Sequence, residues 1–230
     1  MLNIQNKLEE KLQAVLNIGD QIAQLEKQTG TFEKNVVDLG EKISQARKKQ
    51  IPSFEKKVNQ MLAQVGMPNA VLKVSVTPQA PSLSGIDDIE FLFDANKSGQ
   101  FKPVRKVASG GELSRLMLCI KSLVAEKMDM PTLIFDEIDT GISGEAAKQV
   151  GAIMKTLAAN RQVICITHQP QIAGKADAHF FVYKELKSDK VKTNIRQLDI
   201  DERITAIAKM LGGEKPTTAA LENAREMVQH

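Results

Sequence analysis

Asp136 and Glu137 are adjacent carboxylates that close the mostly apolar run Thr132-Leu133-Ile134-Phe135. Such a run is the signature of a buried strand in a parallel sheet, and α/β sheets bind ligands at the carboxyl ends of their strands. Successive side chains on a strand point oppositely, so the two acids have different tasks. One can hold a magnesium ion, usually through water, and the other can polarise an attacking water. As an isolated dipeptide, Asp-Glu is equally the solvated start of a loop. A second group is Ser109-Gly110-Gly111-Glu112, just ahead of an apolar-periodic helix. Small residues there leave backbone N–H groups exposed at a helix N-terminus, where orphan donors and the helix dipole favour an anion. Simple N-capping by Ser109 is the commoner use of such a residue. The third group is His168, which ends the run Val163-Ile164-Cys165-Ile166-Thr167. A histidine at a strand end is more often structural, but on the strand edge beside the paired acids it can hydrogen-bond a terminal phosphate.

These groups need elements to position them. The spacing predicts strands over 132–135, 163–167 and 180–183, all read as buried and parallel, with helices over 112–128 and 145–159. Strand–helix alternation argues for an α/β sheet. Two helices, over 201–211 and 217–228, close the chain. Upstream, residues 71–77 and 88–93 alternate as half-buried strands joined by a Pro/Ser/Gly loop, and residues 95–99 read as a turn.

The first fifty residues carry a heptad seam through Ile4, Leu8, Lys11, Val15, Ile18, Ile22, Leu25, Thr29, Phe32, Val36, Leu39, Ile43 and Ala46. Sustained three-four spacing implies a left-handed coiled coil rather than a helix packed on its own domain. Gly19, Gly30 and Gly40 each weaken it by about 1 kcal/mol against Ala. Pro52 predicts a kink or restart, a second helix follows over 54–65, and Gly66-Met67-Pro68 stops it.

The three chemical groups also carry a resemblance. VASGGELSR resembles the signature motif of ABC-type ATPases, TLIFDE their Walker B motif, and ITH their H-loop. Each fragment is weak alone, whereas their order and spacing together are specific. With the heptad arm, the chain resembles the SMC-like members of that family that act in bacterial DNA repair. The likeness runs from the first heptads to the C-terminus and is strongest from Val107 onward. It implies an α/β fold, the C-terminal lobe of an ABC/SMC-type P-loop NTPase head with a mostly parallel sheet flanked by helices, and an N-terminal coiled-coil arm. The expected division is 1–66 for the arm and connecting helix and 67–230 for the lobe.

The resemblance implies ATP and Mg2+ as cofactors in an assembled head. Ser109, Gly110 and Gly111, with Glu112, would contact ATP bound on the opposite head of a homodimer. Asp136 would help hold magnesium, Glu137 would orient the attacking water, and His168 would be the switch histidine near the γ-phosphate. Residues Thr140 to Gly144 would be the D-loop at the dimer interface, with Ser143 where many members have Asp. The whole protein would act on DNA in the recombinational repair of double-strand breaks.

An ATPase of this class also needs GxxxxGK followed by Ser or Thr. The only Gly-Lys here is Gly174-Lys175, followed by Ala176 and with Gln169 five residues before Gly174. The expected partner is therefore a separate N-terminal Walker A lobe, without which this chain alone should be inert. The heptads would then belong to the returning strand of the arm.

Composition excludes other classes. The net charge of +3 gives no basic stripe of the kind a nucleic-acid footprint requires. Cys119 and Cys165 sit in apolar runs as reduced, buried thiols, with no Cys/His metal set. No apolar stretch reaches membrane-span length and no signal-peptide core is present, so the expected location is the cytoplasm, at the nucleoid when DNA is damaged. Two other readings compete: a coiled-coil dimerisation module without ATPase activity, and a transporter's nucleotide-binding subunit. The arm argues against the transporter.

Overall fold

The computed structural model describes residues 2–106, 110–125, 128, 130–187 and 190–229. Its elements in order are α1 (Leu2–Gln64), β1 (Val71–Ser82), β2 (Gly85–Asp94), β3 (Lys102–Pro103) and a 3-10 turn (Val104–Lys106). Then come α2 (Gly110–Val124), β4 (Thr132–Phe135), α3 (Gly144–Ala158), β5 (Gln162–Cys165) and α4 (Pro170–Ala173), followed by β6 (Phe180–Lys187), β7 (Lys190–Gln197), α5 (Ile200–Gly212) and α6 (Thr218–Gln229). The chain divides into two compact units, Met1–Ser53 with Val74–Glu90 and Phe54–Lys73 with Phe91–His230.

A new helix does not start at Pro52: α1 is one helix of 63 residues with Pro52 inside it. An interior proline costs about 3 kcal/mol through a lost hydrogen bond and a clash with the carbonyl four residues back. Tertiary packing on both sides offsets this. Upstream, Ser44 donates to Asp87; downstream, Val58 and Leu62 are fully buried. The helix does stop where the sequence says. Gly66 has φ +83, which suits a residue without Cβ, and the Met67 N–H returns to the Leu62 carbonyl at 2.9 Å.

In the first unit the heptad side chains Ile4, Leu8, Val15, Ile18, Ile22, Leu25, Phe32, Val36, Leu39 and Ile43 are exposed. The lower part of the helix is ordered by residues 74–90. The Ser44 hydroxyl donates to Asp87 Oδ1 at 2.7 Å, Arg47 Nη1 donates to Asp87 Oδ2 at 3.2 Å, and Arg47 Nη2 donates to the Ser84 carbonyl at 2.7 Å. Gly40, read from sequence as a weak point in a coil, has a packing reason instead. A Cβ there would lie 2.7 Å from Ile86 Cγ2. Strands β1 and β2 also run further than expected, because β1 continues through Pro78 and Pro81. It is an edge strand in the order β1-β2-β3, where a missing N–H costs little.

The Ser44 hydroxyl, opposed in part by burial and helped by Arg47, holds the Asp87 carboxyl below its ordinary value. A depressed folded-state pKa contributes stability that is present above the unfolded value and is lost as pH falls through the folded one. The unfolding midpoint should therefore hold above about pH 4 and fall below it, and Ser44→Ala should flatten that fall. Thermal unfolding followed at pH 6 and pH 3 checks this, and equal acid losses in both proteins would contradict it.

In the second unit the core joins Val58 and Leu62 of α1 and the following Val65 to Leu72 of β1, Phe93 of β2, Leu116, Leu118 and Cys119 of α2, Leu133 and Phe135 of β4, and Val150 of α3. Helix α3 buries Ala147, Val150, Gly151, Met154 and Leu157, a stripe at helical spacing. Strand β4 pairs parallel with β5, in register from Thr132↔Gln162 to Phe135↔Cys165. Only one face of that pair is packed. Leu133 and Phe135 are buried, while Ile134, Ile164 and Ile166 are 61%, 43% and 59% exposed.

The run at 180–183 is not a buried parallel strand. It begins β6, which pairs antiparallel with β7 from Phe180↔Gln197 to Lys187↔Lys190, and Phe180 and Val182 are exposed. Helices α5 and α6 close a second small core of Ala173, Ile204, Ile207, Ala208 and Ala224. Asp199 opens α5 with a reciprocal cap. It accepts from the Glu202 N–H at 2.8 Å, while Glu202 accepts from the Asp199 N–H at 3.2 Å. Asp199→Ala should cost about 1 kcal/mol in thermal or denaturant unfolding; a change within error would mean that Arg196, which pairs with Glu202 at 2.7 Å, carries the helix start alone.

Candidate functional site

Strand β4 delivers Asp136 and Glu137 to the loop that follows it, and both are exposed. The Asp136 Oδ1 accepts from the Glu137 N–H at 2.9 Å. Glu137 has φ +55, a left-handed conformation uncommon for a residue with a side chain. Strain of this kind costs of order 1 kcal/mol or more and clusters at functional sites. Its result here is to bring the Glu137 carboxylate against Gly110, where any Cβ would collide with Oε2.

Helix α2 is tied to the same loop. The Ser114 hydroxyl donates to the Asp136 carbonyl at 2.9 Å. Arg115, 6% exposed, donates from Nη1 to the Thr140 carbonyl at 2.6 Å and reaches the Ile138 carbonyl at 3.5 Å. Burial pulls the Arg115 guanidinium below its ordinary pKa, against the attraction of Glu112. Gly111 lies against Thr140, whose carbonyl would stand 3.0 Å from an added Cβ. Ser109 lies outside the described residues.

His168 follows β5, in parallel register with β4, and the Ile166 N–H continues the ladder to the Phe135 carbonyl at 3.0 Å. Asp139 joins the two strand ends. It is 3% exposed, and its Oδ2 accepts from the Thr167 hydroxyl at 2.6 Å and the His168 N–H at 2.8 Å, with His168 Nδ1 at 3.0 Å. The Gln169 side chain donates to the Ile142 carbonyl at 2.9 Å, a second tie between the loops. Residues 140–144 thus hang between α2 and the 167–169 segment, with positive φ at Gly141 and Gly144.

The structure therefore gathers Gly110, Gly111, Asp136, Glu137, the 140–144 loop and His168 at one end of the β4–β5 pair. Sequence reasoning missed Asp139 and Arg115. Asp139 had a signal: it is the third acid within four residues of the Asp-Glu pair. Nothing in the sequence singles out Arg115. Cys165, beneath the site, is half-buried rather than fully buried as Cys119 is; desolvation, then Asp139 and Asp136, push its thiol up to about 12, so it is no nucleophile at neutral pH. No group of three or more His, Cys, Asp or Glu among the described residues can hold a metal. Asp136 offers one hard oxygen donor, which suits a magnesium ion that takes its other ligands from phosphate and water. No helix among the described residues is long and apolar enough to cross a membrane.

The fold is that of the SMC head lobe with its coiled-coil arm. The chain superposes on the Smc head domain with a coiled coil and joint from Pyrococcus yayanosii with a TM-score of 0.59 at 16% identity, covering 86% of this chain and 36% of that one. The Smc head with an extended coiled coil from Pyrococcus furiosus gives 0.54 at 16% identity, covering 86% and 47%. In sequence the chain is 36% identical to DNA repair protein RecN of Vibrio cholerae over 91% of its own length and 38% of that protein. It is 44% identical to RecN of Rickettsia typhi over 76% of this chain and 32% of that one. The chain belongs to the RecN family, and it spans 32–42% of the length of these and other curated RecN relatives. No protein-family profile matches it.

Proposed function

We propose that this chain is the C-terminal part of an ATP-binding and ATP-hydrolysing RecN-type head that acts in the recombinational repair of DNA double-strand breaks. Residues 1–66 serve as the returning arm with its connecting helix, and 67–230 as the lobe. In the lobe, Asp136 holds magnesium through water, Glu137 orients the attacking water, and His168 meets the γ-phosphate. The 109–112 segment acts on ATP carried by a second head. The nucleotide is gripped by a separate lobe that carries the Walker A loop. Bound magnesium and ATP supply charge neutralisation and the transferred phosphoryl group. This chain's own residues supply position.

One observation carries the reading. Glu137 and His168 end neighbouring parallel strands, joined through Asp139, and the α2 glycines pack on the same loop. The bare outer face of β4–β5 supports the separate lobe, because parallel pairs are ordinarily covered on both sides. The chain alone should bind ATP weakly and release no phosphate. Adding the RecN segment with the Walker A loop should start turnover, measured as phosphate release. Robust hydrolysis by the chain alone would contradict the reading.

The exposed seam from Ile4 to Ile43 favours a second use as a dimerisation module indifferent to nucleotide. Sedimentation with and without ATP and the complementary lobe separates the two. Self-association unchanged by either addition favours the module.

A further inference from the structure

Asp139 has no place in the roles assigned above, yet it is the most heavily used acid of the site. One buried oxygen, Oδ2, accepts from the Thr167 hydroxyl at 2.6 Å and the His168 backbone N–H at 2.8 Å, and the ring nitrogen His168 Nδ1 lies 3.0 Å from it. The Asp139 side chain is 4% exposed, whereas the histidine ring is 73% exposed. The Thr167 hydroxyl gives its proton to Asp139 and accepts from the Gln169 N–H at 3.0 Å, so its orientation is fixed as well.

Chemistry then decides the ring. An ionised carboxylate only accepts hydrogen bonds, so the nitrogen facing it must carry the proton. We infer that Asp139 is the positioning residue for His168, locking the ring with its proton on Nδ1 and leaving Nε2 as the atom turned outward. Asp139 follows Glu137 by two residues, so the same loop sets the water-orienting acid and the ring. A shift of the 136–142 segment carries both. That Nε2 meets a terminal phosphate rests on the reading of His168 given above; the lock itself does not.

A purely structural acid would bind the loops together without selecting a tautomer. The neutral side chain of free histidine prefers its proton on Nε2, so the lock has a spectroscopic signature. The chain has three histidines, and His168→Gln identifies the signals of His168 among the ring 15N resonances. Above about pH 8, where the ring is ordinarily neutral, the unmodified chain should show Nδ1 protonated and Nε2 bare. Asp139→Asn keeps an oxygen for Thr167 and the backbone but removes the charge. It should lower the Nδ1–H to Nε2–H ratio about tenfold, since hydrogen bonds to charged groups are roughly twice as strong as neutral ones. Thr167→Val removes a different donor from the same oxygen; it should lower the unfolding midpoint and leave the ratio unchanged.

A proton on Nε2 in the unmodified chain overturns the inference, as does an unchanged ratio in folded Asp139→Asn. Should Asp139→Asn not fold, the tautomer of the unmodified chain and its persistence in Thr167→Val decide the matter. Because no nucleotide is added, loss of the ATPase reading and loss of the lock give different results.

Discussion

Glu137→Gln is expected to slow ATP turnover by at least about 100-fold in a head assembled from this chain and its Walker A lobe, with KM little changed. The amide keeps the size of the carboxylate and can hold the same φ of +55, so the backbone that places it has no reason to move. What is lost is the charge that polarises water in line with the phosphoryl group, an interaction made chiefly in the transition state. The contacts proposed for Asp136 and the α2 glycines would remain. Steady-state phosphate release at saturating ATP measures the effect, and ATP binding by the same mixture measures the control. Retention of a third or more of the rate would remove Glu137 from the water-orienting role.

Arg115→Ala should destabilise the chain by about 2–3 kcal/mol, through the lost charged hydrogen bond and the cavity that follows. The guanidinium is buried and donates to the Thr140 carbonyl at 2.6 Å; without it that acceptor and the Ile138 carbonyl have no cationic partner. Recovered desolvation offsets part of the loss, since burial already lowers the pKa of this group. In a chain of 230 residues the unfolding midpoint should fall by roughly 5–10 °C. Arg115→Met refills most of the volume without restoring the donor, so it should recover only the cavity share. A midpoint shift below about 1 °C for Arg115→Ala would show that the 138–140 carbonyls are satisfied without the guanidinium.

The parts of the fold written in local chemistry were legible in the sequence. The run Thr132–Phe135, the helix stop at Gly66 and the helical stripe of α3 rest on patterns that neighbours along the chain determine. The misreadings come from tertiary terms. Pro52 breaks a helix by local rules, but the packing of Ser44 on one side and Val58 on the other outweighs its penalty. Pro78 and Pro81 looked like a loop because nothing local says that β1 is a sheet edge. Strand β7 did carry a signal, the alternation Val191, Thr193, Ile195, but its charged partners masked it. At the site, motif order pointed to Asp136, Glu137 and His168. Asp139 and Arg115 act by where they are buried, and burial of a charged residue is a property of the folded chain that no short window encodes.

The contact between Gly110 and the Glu137 carboxylate has an evolutionary consequence. The place a side chain at position 110 would need is already taken by the acid at 137. The two positions are therefore coupled through the place of that carboxylate. Only the end of the exposed Glu137 side chain stands in the way, so a side chain at 110 would be accommodated by displacing the carboxylate, at the expense of its placing rather than of the fold. Related sequences that carry a side chain at 110 should differ at 137 more often than those that keep glycine there.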